Sequence, residues 1–119
     1  MRTFNRLCLT LAGSLLLCVS LFPQNTSIVI PAGTPEDKDL AVIAAENDAQ
    51  KRISAYQEFI TKYSDNKPAV AYAEWQLSQQ YLAAGDTAKA RANYKKLLAN
   101  YRLADPGLPE LAEARDAVR

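Results

Sequence analysis

Apolar side chains recur at steps of three and four residues from about residue 35 to the C-terminus. Ile53, Tyr56 and Phe59 belong to one such series, and Tyr94 and Leu98 belong to another. Because an α-helix has 3.6 residues per turn, this spacing places the apolar side chains on one face of each helix. The two-residue alternation of a half-buried β-strand does not occur in this region. The pattern therefore predicts an all-α fold.

Residues that favour turns and caps divide the helical pattern into pieces. Gly85 suits the left-handed conformation that ends many helices, and Asp86 directly after it can cap the next helix. At the start, Thr34 can cap the first helix, and Asp37 completes a capping box. The break at Asn47 and Asp48 is the weakest, so the first two helices are either separate or continuous. These signals predict five helices, at 35–46, 49–63, 68–84, 87–101 and 108–118.

The helical pieces repeat along the chain with a step of 38 residues, the distance from Asp48 to Asp86. The same step joins Lys51 to Lys89, Tyr56 to Tyr94, Phe59 to Leu97, Ile60 to Leu98, Tyr63 to Tyr101 and Pro68 to Pro106. A period in this range is typical of stacked helical hairpins, whose neighbouring units bury each other's apolar faces. We therefore predict a short α-solenoid of antiparallel helical hairpins over residues 34–119.

The second hairpin carries aromatic and small side chains at characteristic spacings over about residues 71–101. These residues are Trp75, Leu77, Ser78, Tyr81, Gly85, Asp86, Ala90 and Tyr94. The set resembles a tetratricopeptide repeat, although Trp75 lies one position later than in that family. Arg52 stands where the second hairpin has the small Ala90, so the first hairpin is expected to be looser or to act as a cap. Residues 59–65 are also similar to hairpin ends of exported bacterial proteins of envelope assembly and cell-division coordination, except that Ser64 stands where those have proline.

The N-terminus has the pattern of a secretory signal peptide. Arg2 and Arg6 precede an apolar run at 7–17, which is shorter than the roughly 20 residues of a membrane-spanning helix. Cys18 and Ser20 supply small residues at the two positions that a signal peptidase reads, which predicts cleavage after Ser20 and export to the periplasm or secretion. We thus expect a signal peptide at 1–20, a linker at 21–33 and the helical domain after it.

Two alternatives to cleavage after Ser20 remain open. The apolar run can stay as a membrane anchor if it continues through Phe22. Cys18 can instead be a lipid attachment site, although Leu17 before it stands where lipoprotein signals have a small residue. Contact with a membrane is expected only through such an uncleaved or lipidated N-terminus.

The composition argues against an enzyme. The chain has no histidine, which is the usual general base at neutral pH and the commonest metal ligand. Its two cysteines, Cys8 and Cys18, both lie in the export segment, so neither metal nor cofactor is expected. The acids Asp105, Glu110 and Glu113 are interpreted as helix caps and partners of a helix dipole rather than as a catalytic pair. A formal net charge of +1 also argues against nucleic acid as a partner.

The resemblance implies that the first helix of each hairpin lines a groove for a protein or peptide. Tyr72, Trp75 and Gln79 lie on that helix in the second hairpin, and Asn93 and Lys96 are weaker candidates. The sequence therefore predicts a non-enzymatic protein–protein interaction module of the cell envelope. The alternative is a structural component that self-associates, as a homo-oligomer, through the incomplete ends of its stack.

Overall fold

The computed structural model describes residues 28–101 and 107–119. Within these ranges the chain forms five helices and no strand, which confirms the all-α prediction. They are α1 (Pro35–Ala44), α2 (Ala49–Lys62), α3 (Lys67–Ala83), α4 (Thr87–Asn100) and α5 (Pro109–Ala117). Every boundary lies within two residues of its predicted position, and α1 and α2 are separate. The export segment with Cys18, the first residues of the expected linker, and Asp105 lie outside the described residues.

The caps of α2 and α4 repeat at the predicted step. Asp48 accepts hydrogen bonds from the backbone N–H groups of Gln50 and Lys51, at 2.9 and 3.1 Å. Asp86, 38 residues later, accepts one from the N–H of Lys89 at 3.1 Å. These carboxylates satisfy N–H groups that the first turn of a helix leaves without intrahelical partners. The position of both helix starts is therefore set by local chemistry.

The turn between α3 and α4 is a Schellman motif built on Gly85. This residue has a φ of +80°, a conformation that is strained for any side chain-bearing residue. The N–H of Gly85 donates to the Leu82 carbonyl at 3.0 Å, and the N–H of Asp86 donates to the Tyr81 carbonyl at 2.9 Å. Asp86 thus closes one helix and caps the next, so the turn between α3 and α4 is short.

The start of α1 departs in one detail from the predicted capping box. Thr34 caps the helix as expected, since its Oγ1 accepts from the N–H of Asp37 at 3.2 Å. The Asp37 carboxylate accepts from the N–H of Gly33 at 2.9 Å, one residue earlier than in a standard capping box. Gly33 has a φ of +81°, which turns its N–H toward this carboxylate. The result fixes the direction in which the chain enters α1.

Each helix packs mainly against the helices that precede and follow it in the sequence, and the closest pair is α3 with α4. The repeat is visible in the core as well. Tyr56 and Phe59 of α2 are buried, and so are their counterparts Tyr94 and Leu97 of α4. These two pairs of matching chain positions are therefore buried alike.

Arg52 explains how the first hairpin differs from the second. Its Nη1 donates to the Glu46 carbonyl at 2.6 Å, and its Nε donates to Gln80 Oε1 at 3.0 Å. The guanidinium therefore links the α1–α2 turn to α3, whereas its counterpart Ala90 is buried and lets α3 and α4 approach closely. The contact between α1 and α2 is much more limited than that between α3 and α4.

Candidate functional site

The residues before α1 pack against the helices although they form no helix themselves. Ile28 is only 5% exposed and belongs to the core, and Ile30 is partly buried against that core. Val29 between them is 72% exposed. This alternation is that of an extended chain with every second side chain directed to one surface. These residues lie in the expected linker at 21–33, and their packing against the helices was not predicted.

The helices beneath this segment are α1, α3 and α5. The N–H of Ile28 donates a long hydrogen bond, 3.4 Å, to Glu110 Oε2 in the first turn of α5. An open cleft of about 350 Å³ lies between this segment, α1 and α3. Its lining consists of Ile28, Ile30, Asp37, Leu40, Ala41, Ala44 and Tyr72. We call the surface that α1, α3 and α5 form under residues 28–31 the segment face.

Glu110 is an unusual residue for such a face because it is charged and almost fully buried. It is 5% exposed, and its Oε1 accepts no hydrogen bond from the described residues. A buried polar atom without a partner is costly, so this oxygen is an unsatisfied acceptor within the described residues. The location of Glu110 in the first turn of α5 agrees with its interpretation as a partner of the helix dipole. The burial of Glu110 and its bond to Ile28 were not part of that interpretation.

The carboxylate of Glu113 joins α5 to the predicted groove residues of α3. Glu113 Oε2 accepts hydrogen bonds from Trp75 Nε1 and from Gln79 Nε2, the latter at 2.8 Å. The Gln79 amide also donates to the Tyr94 hydroxyl at 3.0 Å. Trp75 and Gln79 therefore lie on the side of α3 that faces α5, and their polar atoms hold α5 in place.

Tyr94 lies beneath this network. Its side chain is 1% exposed, and burial raises the pKa of the hydroxyl to about 12, with the nearby Glu113 carboxylate adding to the effect. The hydroxyl therefore stays protonated at any physiological pH. It serves as a fixed hydrogen-bonding group at the α3–α4–α5 junction.

Tyr72 is the predicted residue closest to the segment itself. It lines the cleft with Ile28 and Ile30, and its ring centroid lies 6.1 Å from that of Trp75. Its hydroxyl accepts from Gln76 Nε2 at 3.0 Å. The structure therefore brings Tyr72, Trp75 and Gln79 together along one side of α3.

Asn93 and Lys96 lie elsewhere. Both line a different cleft, of about 410 Å³, between α2, α3 and α4. Asn93 is 7% exposed, and its side-chain amide donates to the Lys89 carbonyl of its own helix at 3.0 Å. None of the residues that line this second cleft also lines the cleft of the segment face. The five candidates thus divide between two surfaces.

The second cleft contains a buried acid, Glu74, that is not among the predicted site residues. Glu74 is 2% exposed, and its Oε1 accepts a hydrogen bond from Asn100 Nδ2 at 2.8 Å. Burial raises the pKa of this carboxyl, and the bond from Asn100 partly opposes the rise. Nothing in the helical pattern distinguishes Glu74 from an exposed acid, because its burial depends on the end of α4, 26 residues later.

Two further observations bear on this site. Among the residues that the structure describes, no three His, Cys, Asp or Glu side chains are grouped so that they could hold a metal ion, and no helix has the length and hydrophobicity of a membrane span. The chain matches no protein-family model, no curated protein and no solved structure.

Proposed function

We propose that this protein is a non-enzymatic protein–protein interaction module that holds a segment of a partner on the segment face. The observation that carries this proposal is that α1, α3 and α5 already hold a non-helical stretch of chain, with Ile28 buried and its N–H bonded to Glu110. A surface that accommodates one extended segment has the shape and the hydrogen-bonding groups to accommodate another.

The proposed scaffold is a short α-solenoid that resembles tetratricopeptide repeats. Sequential packing of the helices and the matching burial of Tyr56 with Tyr94 support this arrangement. In such a stack the first helices of successive hairpins line one surface. The segment face consists of α1 and α3, which are those first helices, together with α5.

We further propose that the protein acts outside the cytoplasm, in the periplasm or cell envelope. The basic start and the apolar run at 7–17 support export, and Cys18 is the alternative lipid anchor. Mass spectrometry of the N-terminus distinguishes these routes. A chain that begins at Leu21 indicates free export, a lipidated Cys18 indicates anchoring, and an intact Met1 indicates a retained segment.

Photo-crosslinking in the cells that make the protein tests the binding function. A photoreactive amino acid at Ala41, which is exposed and lines the cleft, is expected to capture a defined partner that mass spectrometry identifies. The matched control carries the same amino acid at Lys95, which is exposed on α4, outside the segment face. Identical adducts from both positions, or none from Ala41, would contradict the proposal.

Self-association is a second candidate because the first helix of the stack exposes an apolar side chain. Val42 of α1 is 71% exposed, and a terminal repeat normally presents a polar outer face. If copies associate through this end, light scattering at micromolar concentration detects a dimer or larger species, and Val42→Asp abolishes it. A monodisperse monomer contradicts this candidate.

A further inference from the structure

We propose that residues 28–31 are an internal ligand of the segment face. The partner segment is then an extended chain with two apolar side chains at alternate positions. It binds by displacing residues 28–31 from the segment face. This inference rests on the proposed binding function and adds to it the chemistry of the partner and the reason why the site is closed in the isolated chain.

The resident segment shows which features the face recognises. Two side chains, Ile28 and Ile30, are directed to the helices, while Val29 between them is 72% exposed and is directed mainly to solvent. Recognition thus requires apolar side chains at the first and third positions of a three-residue stretch. The second position is unrestricted, as for any extended chain bound along one side.

Main-chain recognition is supplied by Glu110. Its Oε2 accepts the N–H of Ile28 at 3.4 Å, which is longer than the usual 2.9–3.0 Å. Its Oε1 is buried and accepts nothing from the described residues. The resident segment therefore satisfies this carboxylate incompletely, and a ligand that offers a second or closer donor binds the same place more strongly.

The face also has room that the resident segment leaves unfilled. The cleft beside Ile28 and Ile30 measures about 350 Å³, and Leu40, Ala41 and Tyr72 are among the residues that line it. A partner with a larger apolar side chain at these positions buries more surface there than the isoleucines do. The incompletely bonded Glu110 carboxylate and the open cleft both indicate that a segment with a closer fit can replace residues 28–31.

A short tether keeps the internal ligand in place. Residues 32–34 connect it to α1, and the hydroxyl of Thr34 donates to the Pro31 carbonyl at 2.8 Å. A segment held by so short a connection has an effective concentration in the millimolar range. Any partner must compete with it, so the isolated protein is expected to bind partner segments weakly until the tethered one is displaced.

The test uses the purified protein and a fluorescent peptide with the sequence of residues 28–34. Ile28→Asp/Ile30→Asp places two charges against the helices and is expected to expel the internal segment. Fluorescence anisotropy should then show saturable binding of the peptide, at least about tenfold tighter than in the unchanged protein. Val29→Asp is the matched control, since it adds a charge to the same segment at an exposed position, and it should behave as the unchanged protein.

Specificity is tested in the peptide as well. A peptide in which both isoleucines are replaced by Asp should not bind the double variant. Circular dichroism must show that the variant keeps its helices. If the double variant loses its helices, the single variant Ile30→Asp replaces it in the binding test. Ile30 is only partly buried, so this change disturbs the core less.

Two outcomes would overturn the inference. One is a helical variant that binds the peptide no better than the unchanged protein does. The other is an unchanged protein that elutes as a dimer and becomes a monomer in the double variant, because the occupant is then a second copy. The proposed function fails separately, if crosslinking at Ala41 captures no partner in either the unchanged protein or the double variant.

Discussion

At the scale of single residues, two carboxylates are almost fully buried among the described helices. Glu110 lies under the chain's own N-terminal segment, and Glu74 lies in the cleft between α2, α3 and α4. The two carboxylates differ in the hydrogen bonds that they accept. Asn100 donates to Glu74 at 2.8 Å, whereas one oxygen of Glu110 has no partner in the described part of the chain. A buried acid at neutral pH is a cost that folding must offset.

We predict that Glu74→Gln stabilises the protein at neutral pH and not at acidic pH. Because burial raises the pKa of this carboxyl above its ordinary 4.5, the folded chain binds a proton more readily than the unfolded chain. The free energy of unfolding therefore falls as the pH rises from 4.5 through the folded pKa. Gln removes this loss and still accepts the bond from Asn100. Thermal unfolding below pH 4.5 and at pH 7 should show a gain in Tm only at pH 7.

Asn100→Ala provides the opposite change. It removes a hydrogen bond that lowers the pKa of Glu74, so the fall in stability with rising pH should become larger. A Glu74→Gln variant whose gain is the same at both pH values would show that Glu74 ionises without cost in the folded chain.

At the scale of elements, helix ends were predictable because their chemistry is local. The hydrogen bonds at these ends join groups within five residues of each other, as at Asp48, Gly85 and Asp86. Both partners therefore lie in the same short stretch of sequence. The contacts of the segment face are not local. Glu110 meets Ile28 from 82 residues away, and Glu113 meets Trp75 from 38 residues away. Such pairs depend on how the helices pack, which the spacing of apolar residues does not specify.

The turn between α3 and α4 offers the sharpest test at this scale. Gly85→Ala should lower the free energy of unfolding by roughly 1–2 kcal/mol, because a side chain at a φ of +80° is strained. A Cβ at this position meets no atom within 4 Å, so the loss reflects backbone strain alone. Gly85→Asn should cost less, since Asn tolerates the left-handed conformation. Urea denaturation measures both, and equal losses for the two variants would contradict this explanation.

At the scale of the whole molecule, the helices contact mainly their neighbours in sequence, but Glu113 of α5 reaches α3, and residues 28–31 reach further still. They join the beginning of the described chain to its last helix. Three of the predicted site residues share one side of α3, because helix positions three, four and seven apart face the same way. Tyr72 lines the cleft of the segment face, and Trp75 and Gln79 bond to α5 beside it. Asn93 and Lys96 lie on another surface, since the resemblance alone did not fix which side of α4 faces the groove.

The central claim is that the face of α1, α3 and α5 holds an extended chain which can be exchanged. Nuclear magnetic resonance of the protein labelled at isoleucine methyl groups tests it most directly. In the protein alone, the Ile28 methyl signal should lie away from its random-coil position, because that side chain is buried. Unlabelled peptide with the sequence of residues 28–34, added at roughly tens of millimolar so that it exceeds the effective concentration of the tethered segment, should move it toward the random-coil position. An Ile28 signal that is random-coil from the start, or that stays unchanged at saturating peptide, would contradict the claim.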